Sequence, residues 1–424
     1  MTHPARLLPH LGRRSFLLGS LGLTATAGLT ACGADPHRTD LVTIGSYRSS
    51  DAEKKAFAEM AAGFTGADVK INTVDHETFK EGINNYLQGR PDDVFTWFAG
   101  YRARYFAEKG LVADISDVWD KVQGMPASMR NASSTTDGRA IFMPSTYYPW
   151  GVFYRPSLFE ERGYAEPKTF DEFMGLNERM LSDGLVPMAF SAKDGWEPMG
   201  TFDMLNLRIN GYEFHLSLLA GQEAWDGAQV KKVFEVWKQM LPYTQEASLG
   251  RTWQEAAQSL LQKKSGTFLL GMFLQQQFAT SPEAADDLDF FVFPEIDPAI
   301  GAGVVEAPID GFMMAADPRY PQGAKDLMLY LSTPEAVDIT VKADPSVIAA
   351  NSLADQSSYS KLQKKAVKVI EEADNISQFL DRDSRPDFAS TVIGPALQAF
   401  LRDPGSIDSI LGTVEKQKFY IFAG

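Results

Sequence analysis

The chain has 424 residues, 44% of them hydrophobic and 22% charged, with a formal net charge of −15 and a pI near 4.9. Such a chain is long enough for two full cores and too apolar to be disordered in bulk. The acidic balance excludes a nucleic-acid footprint, because a phosphate backbone would be repelled. The single cysteine, Cys32, excludes an internal disulfide and a Cys-based zinc site. Five histidines, three of them before residue 40, make a His-rich metal centre improbable. There is no phosphate loop, no G-x-G-x-x-G, no H-E-x-x-H and no G-x-S-x-G. No metal and no cofactor are expected.

In chain order, residues 1–31 carry Arg6, Arg13 and Arg14 and no acid, and Ser15–Ala31 is apolar or small. This is a charged leader with a short apolar stretch, too short and too weakly apolar to span a membrane. Leu29-Thr30-Ala31-Cys32-Gly33 resembles a bacterial lipobox, and Arg13-Arg14-Ser15-Phe16-Leu17 resembles a twin-arginine export signal. The resemblance implies removal of 1–31, lipid on Cys32 and attachment to the outer face of the cell membrane. Residues 32–40 then read as a flexible tether.

From Leu41 onward, strand and helix signals alternate. Leu41–Gly45 is an apolar run, and Ser50-Asp51-Ala52-Glu53 is a capping box with Ala56, Phe57, Met60 and Phe64 behind it at helical spacing. Val69–Val74 alternates as a strand does, and Val94–Phe98 is a further apolar run followed by a helix through Ala103–Lys109 that stops at Gly110. The β-α-β-α-β order predicts a parallel sheet covered by helices.

The pattern then recurs. Ile141–Pro144, Gly151–Tyr154, Pro187–Ser191, Gly266–Leu270 and Leu288–Phe293 read as strands. Thr169-Phe170-Asp171-Glu172 and Thr252-Trp253-Gln254-Glu255 are further capping boxes, and Thr333-Pro334 is an N-cap followed by proline at the first helical position. Lys361–Ala373 and Ile393–Arg402 are the last predicted helices. Trp119, Trp225 and Trp237, at helical positions, are expected in the core.

Three segments carry a family resemblance: Asp93–Ile115 (DVFTWFAGYRARYFAEKGLVADI), Met143–Phe159 (MPSTYYPWGVFYRPSLF), and Pro308–Tyr330 continuing to Thr333-Pro334-Glu335-Ala336. In this order, from about Leu41 to the C-terminus, the chain resembles the extracellular solute-binding proteins of carbohydrate ABC importers, the maltose-binding-protein-like group. The resemblance implies an α/β, two-lobed periplasmic-binding-protein-like fold with several crossovers. Lobe one would be 41–146 plus 312–350, and lobe two 147–311 plus 351–424. It also implies hinge closure on a carbohydrate ligand, at the carboxyl ends of the strands. Importer membrane subunits would be partners of a monomeric receptor.

A sugar offers C–H faces that stack on aromatic rings and hydroxyls that suit charged or amide groups. Ser46, Tyr47 and Arg48, just after the first strand, are candidates on that ground. Trp97 and Phe98 end another strand, so one faces the cleft and the other the core; the family's strand favours Phe98 outward, with Arg102 one helical turn on. Tyr148 and Trp150 belong to the four bulky residues Tyr147–Trp150 at the first crossover. Asp194 and Trp196 match a stretch that contacts ligand in the resembled group. Phe273 stands where that group often has a stacking tryptophan. Asp310 either accepts hydroxyls or caps a turn. Asp381-Arg382-Asp383 is expected to be a solvated charge cluster, and Trp253 is left undecided. Two other readings stay open: a receptor for a peptide, polyamine or polyol phosphate, and a glycan-acting enzyme using Asp194, Glu197 or Asp203 as paired carboxylates.

Overall fold

The computed structural model describes residues 40–279 and 281–423. The expected export segment 1–31, the lipid site Cys32 and the tether up to residue 39 lie outside the described residues. Among the described residues, no helix is long and apolar enough to cross a membrane, and no group of three or more His, Cys, Asp or Glu could hold a metal ion.

Twelve strands form three sheets. In chain order they are β1 Leu41–Ser46, β2 Asp68–Thr73, β3 Val94–Phe98, β4 Met143–Tyr147, β5 Trp150–Tyr154, β6 Val186–Ala189, β7 Ser265–Gly271, β8 Asp289–Phe291, β9 Val304–Glu306, β10 Ile309–Met314, β11 Ile348–Ala349 and β12 Asn375–Ser377. The first sheet has the order β11-β4-β10-β3-β1-β2. Strands β1, β2 and β3 run parallel, as the alternating helix and strand signals predict. The sheet as a whole is mixed, which corrects the expectation of a parallel one. β10 enters antiparallel between β3 and β4, pairing Asp310 with Phe98, and β11 runs antiparallel to β4. These strands come from segments more than 160 residues apart, so no local pattern announces them. The second sheet has the order β6-β7-β5-β8. β9 and β12 form a separate parallel pair that matches Glu306 with Ser377.

Each of the two larger sheets supports an apolar core. Ile44, Phe95, Trp97, Phe106, Phe142, Phe312 and Leu327 belong to the first. Phe153, Phe173, Phe202, Trp225, Trp237, Phe290 and Phe400 belong to the second. Tyr147, at the passage from β4 to β5, packs against both. The chain passes between the sheets again from β9 to β10 and after β11.

The helix starts follow the capping chemistry. Ser50, Thr169 and Thr252 each accept the N–H three residues on, and the glutamate there reaches back to the cap N–H. Ser360 with Gln363 makes a fourth such box. Thr333 caps the helix Pro334–Ala343. The helix after β3 is Tyr101–Glu108. Gly100 ahead of it has φ +114, and a Cβ there would meet the Arg382 carbonyl at 2.7 Å, so only glycine fits. Trp119, Trp225 and Trp237 are buried as expected. Trp225, however, lies in a turn before the helix Ala228–Met240 and stacks on Phe202 at 5.2 Å. The chain closes with one helix beyond those predicted, Ile407–Phe422.

Candidate functional site

A cavity of about 430 Å³ opens where the strand ends of the two larger sheets converge. The parallel β1, β2 and β3 bring their carboxyl ends to this edge, with Tyr47 and Arg48, Asp75 and His76, and Phe98 respectively. Antiparallel β10 brings Asp310, its second residue, to the same edge. From the second sheet come Trp150 at the start of β5, Asp194 and Trp196 after β6, and Phe273 after β7.

One wall is aromatic. Phe273 stands edge-on to Tyr148, Trp150, Trp196 and Trp253, with ring centroids at 5.6, 6.2, 6.0 and 5.1 Å. Trp150 stacks on Phe379 at 5.0 Å and 25°. The faces left open by this arrangement are flat and weakly polar, the surface a sugar ring presents its C–H groups to. The opposite wall is polar, with Arg48, Ser49, Glu53, Asp75, His76, Glu77 and Lys80.

The floor is ionic. Arg382 donates from Nη1 to Asp310 Oδ1 at 2.9 Å and from Nη2 to the Tyr148 hydroxyl at 3.0 Å, and lies 4.6 Å over the Phe98 ring. Tyr47 donates to the Trp97 carbonyl and to Asp310 Oδ1, both at 3.3 Å. Lys80 bridges Asp381 at 3.2 Å and Glu77 at 3.0 Å. Burial, the largest single influence, opposes the charge on Arg382, but Asp310, Tyr148, Tyr47 and Asp381 together outweigh it and hold the guanidinium firmly protonated. Burial would likewise raise Asp381; Lys80, Arg102 and Arg382 hold it below the ordinary carboxylate range. His76 is neutral, with burial first and then Lys80 and Arg382 pushing its pKa down to about 3.

Among the described residues, two charged groups in the cleft have no hydrogen-bond or ion-pair partner: the Arg48 guanidinium on the polar wall and the Asp194 carboxylate beside Trp196. Both remain available to a ligand's hydroxyls.

Nine predicted site residues line this one cavity: Tyr47, Arg48, Phe98, Tyr148, Trp150, Asp194, Trp196, Phe273 and Asp310. Trp97 and Arg102 do not. Trp97 is fully buried in the first core, with its ring stacked on Phe98 at 4.3 Å. Arg102 points behind the wall, donating to the Lys80 carbonyl at 3.0 Å and lying 5.3 Å over the Trp97 ring. Burial, its largest influence, lowers its pKa. The segment Asp381–Asp383 is a second correction, because it is buried, not solvated. Asp381 meets Lys80, Arg382 meets Asp310, and Asp383 accepts from Tyr101 N–H at 2.9 Å and Arg104 at 3.3 Å. Sequence reading also missed His76, Glu77 and Lys80. They follow β2 as Tyr47 and Arg48 follow β1, so the strand-end rule applied to β1 would have found them.

A family model of bacterial extracellular solute-binding proteins matches residues 48–338. The chain superposes on the bacterial solute receptor AcbH, described as having an exclusive preference for β-D-galactopyranose, with a TM-score of 0.86 and 40% identity, covering 90% of this chain and 99% of that one. It superposes on a chitin oligosaccharide binding protein with a TM-score of 0.79 and 19% identity, covering 90% and 99%. In sequence it is 22% identical over 420 residues to an uncharacterized ABC transporter extracellular-binding protein of Pyrococcus horikoshii, covering 94% of this chain and 91% of that protein. The fold and its cleft define a two-lobed solute receptor. The chain belongs to the bacterial extracellular solute-binding protein family.

Proposed function

We propose that this chain captures a sugar in the cleft by closure of two lobes and delivers it to an ABC importer. The observation that carries the reading is the division of the cavity into an aromatic wall and a polar wall, with Arg48 and Asp194 unpaired on opposite sides. A ring with apolar faces and a hydroxylated rim matches both walls at once, and contacts to both walls favour the closed state. The 40% identity to AcbH supports a sugar over other solutes. A phosphorylated ligand fits less well, since Lys80 and Arg382 are already spent on carboxylates.

The moving lobes are built on the two apolar cores, with changeovers near residues 146–147, 308–312 and 350–351. Cys32 carries the lipid that holds a monomeric receptor at the outer face of the cell membrane. Cys32→Ser should release it into the soluble fraction; a variant retained on membranes removes the anchor from the proposal.

The deciding experiment is thermal unfolding of the chain begun after Cys32, against a panel of mono- and oligosaccharides, peptides and polyamines. A ligand at 100 times its Kd adds about 2.7 kcal/mol. A sugar that raises the melt and is recovered unchanged upholds the receptor reading. A sugar that is consumed restores the carboxylate chemistry, and a response only to amines or peptides removes the sugar.

A further inference from the structure

One residue before the cleft-lining Asp381 sits a cluster of polar groups that ligand capture does not use. Asp203, on the helix Glu197–Asn210, and Glu306, the last residue of β9, are both 0% exposed. Asp203 Oδ2 accepts the Leu380 N–H at 2.8 Å. Asp203 Oδ1 and both Glu306 oxygens have no donor among the described residues. Yet the helix bearing Asp203 packs against β9, and the two carboxyl groups are near enough to act directly on one another. Two acceptors in contact need a hydrogen between them, or two negative charges stand together in an apolar interior.

The surrounding charges do not relieve this pair. His215, on the next helix, has Nε2 3.9 Å from Asp203 Oδ1, too long for a hydrogen bond, and Asn206 is 2.9 Å from its Nδ1. Burial pushes the His215 pKa down to about 3, so the ring is neutral. Arg208, on the same helix as Asp203, is turned to the Phe293 and Val304 carbonyls. Residues 380–383 present Asp381 and Asp383, which oppose ionisation of Asp203, and Arg382, which partly offsets it at Glu306. β12 brings no titratable side chain. Burial first, then the Asp203 charge at Glu306 and the Asp381 and Asp383 charges at Asp203, keeps a proton on the pair well above the carboxylate range.

The pair also sits where two chain passages meet. Glu306 is followed by the crossing into β10, which carries Asp310. Asp203 holds Leu380, which opens the turn carrying Arg382. We propose that Asp203 and Glu306 share one proton, and that its loss sets the two carboxylates against each other and so displaces the Leu380 amide and the segment bearing Arg382 from its cleft-forming position. The inference rests on the reading of Arg382 as part of the ligand cleft. Asp203 and Glu306 act as positioning residues, since neither lines the cavity.

Three ligand-free measurements test this, so their failure is separate from failure of the sugar reading. First, the infrared spectrum of the wild type at a pH of about 8.5, where Glu197 is ionised, should retain a protonated carboxylic acid C=O band. Second, Glu306→Gln and Asp203→Asn should each lack that band, because a carboxamide supplies the hydrogen permanently. Third, exchange of the Leu380 amide, corrected for its chemical rate, should rise about tenfold per pH unit once the wild-type pair ionises, and stay flat in both variants. Absence of the band in the wild type overturns the proposal, even where neither variant folds. An exchange profile that is the same in the wild type and the variants overturns it too.

Discussion

Arg382 Nη1 lies 2.9 Å from Asp310 Oδ1, across 72 positions of sequence, and joins the first sheet to the segment that follows β12. The same guanidinium reaches the Tyr148 hydroxyl at the first crossover. One buried cation therefore ties together three of the passages that build the cleft floor.

Removing one partner of such a pair leaves an uncompensated buried charge, which costs about 3–5 kcal/mol. Arg382→Ala should lower stability by that order in denaturant unfolding and abolish ligand binding. Adding Asp310→Asn removes the stranded carboxylate and should recover part of the stability without recovering binding. A double variant no more stable than the single one would contradict this account of the floor.

Two tryptophans separate binding from folding. Trp196 is half-buried at the cleft, so Trp196→Ala should weaken ligand binding by about 1–3 kcal/mol and leave the melt nearly unchanged. Trp97 is fully enclosed, so Trp97→Ala should cost about 3–5 kcal/mol of stability through the cavity it leaves. Calorimetry with a bound ligand and thermal unfolding, applied to both, should give opposite rankings.

The helix behind Trp150 leaves no room for a methyl group. A Cβ on Gly200 would stand 2.1 Å from Trp150 Cζ3. Alanine is favoured over glycine in a helix by about 1 kcal/mol, but overpacking against a rigid ring costs about 1–3 kcal/mol. Gly200→Ala should therefore destabilise the protein and, by displacing Trp150, weaken ligand binding. An unchanged melt with unchanged affinity would show that the ring moves freely.

Glu197 follows Trp196 and is buried, and burial, with Asp194 adding to it, pushes its pKa up to about 7. A carboxyl raised in the folded state supports stability fully below its unfolded pKa, near 4.3, and that support is lost as pH rises through about 7. The loss is on the order of 3 kcal/mol between those limits. Glu197→Gln should flatten that part of the pH–stability curve, measured by chemical unfolding from pH 4 to 8. A curve as steep as the wild type's would move the titration elsewhere.

What the amino-acid sequence determined by itself is the part of the structure that closes within a few residues. The capping boxes at Ser50, Thr169 and Thr252 are complete within three positions, and all three helices begin there. The strand-end positions of Tyr47, Arg48, Phe98 and Asp194 follow from local order, because a parallel strand must turn at its carboxyl end. Tertiary structure alone decided which charges are buried. Asp381–Asp383 reads locally as a solvated run, since unpaired charges stay in water. It is buried because Lys80 arrives from 301 positions away and Asp310 from 72. The same reason lets Phe98, buried in the same core as Trp97, also reach the cavity beneath Arg382. Alternation predicts opposite faces for the two rings, but they stack on each other at the end of β3, where β10 arrives alongside to pair Asp310 with Phe98.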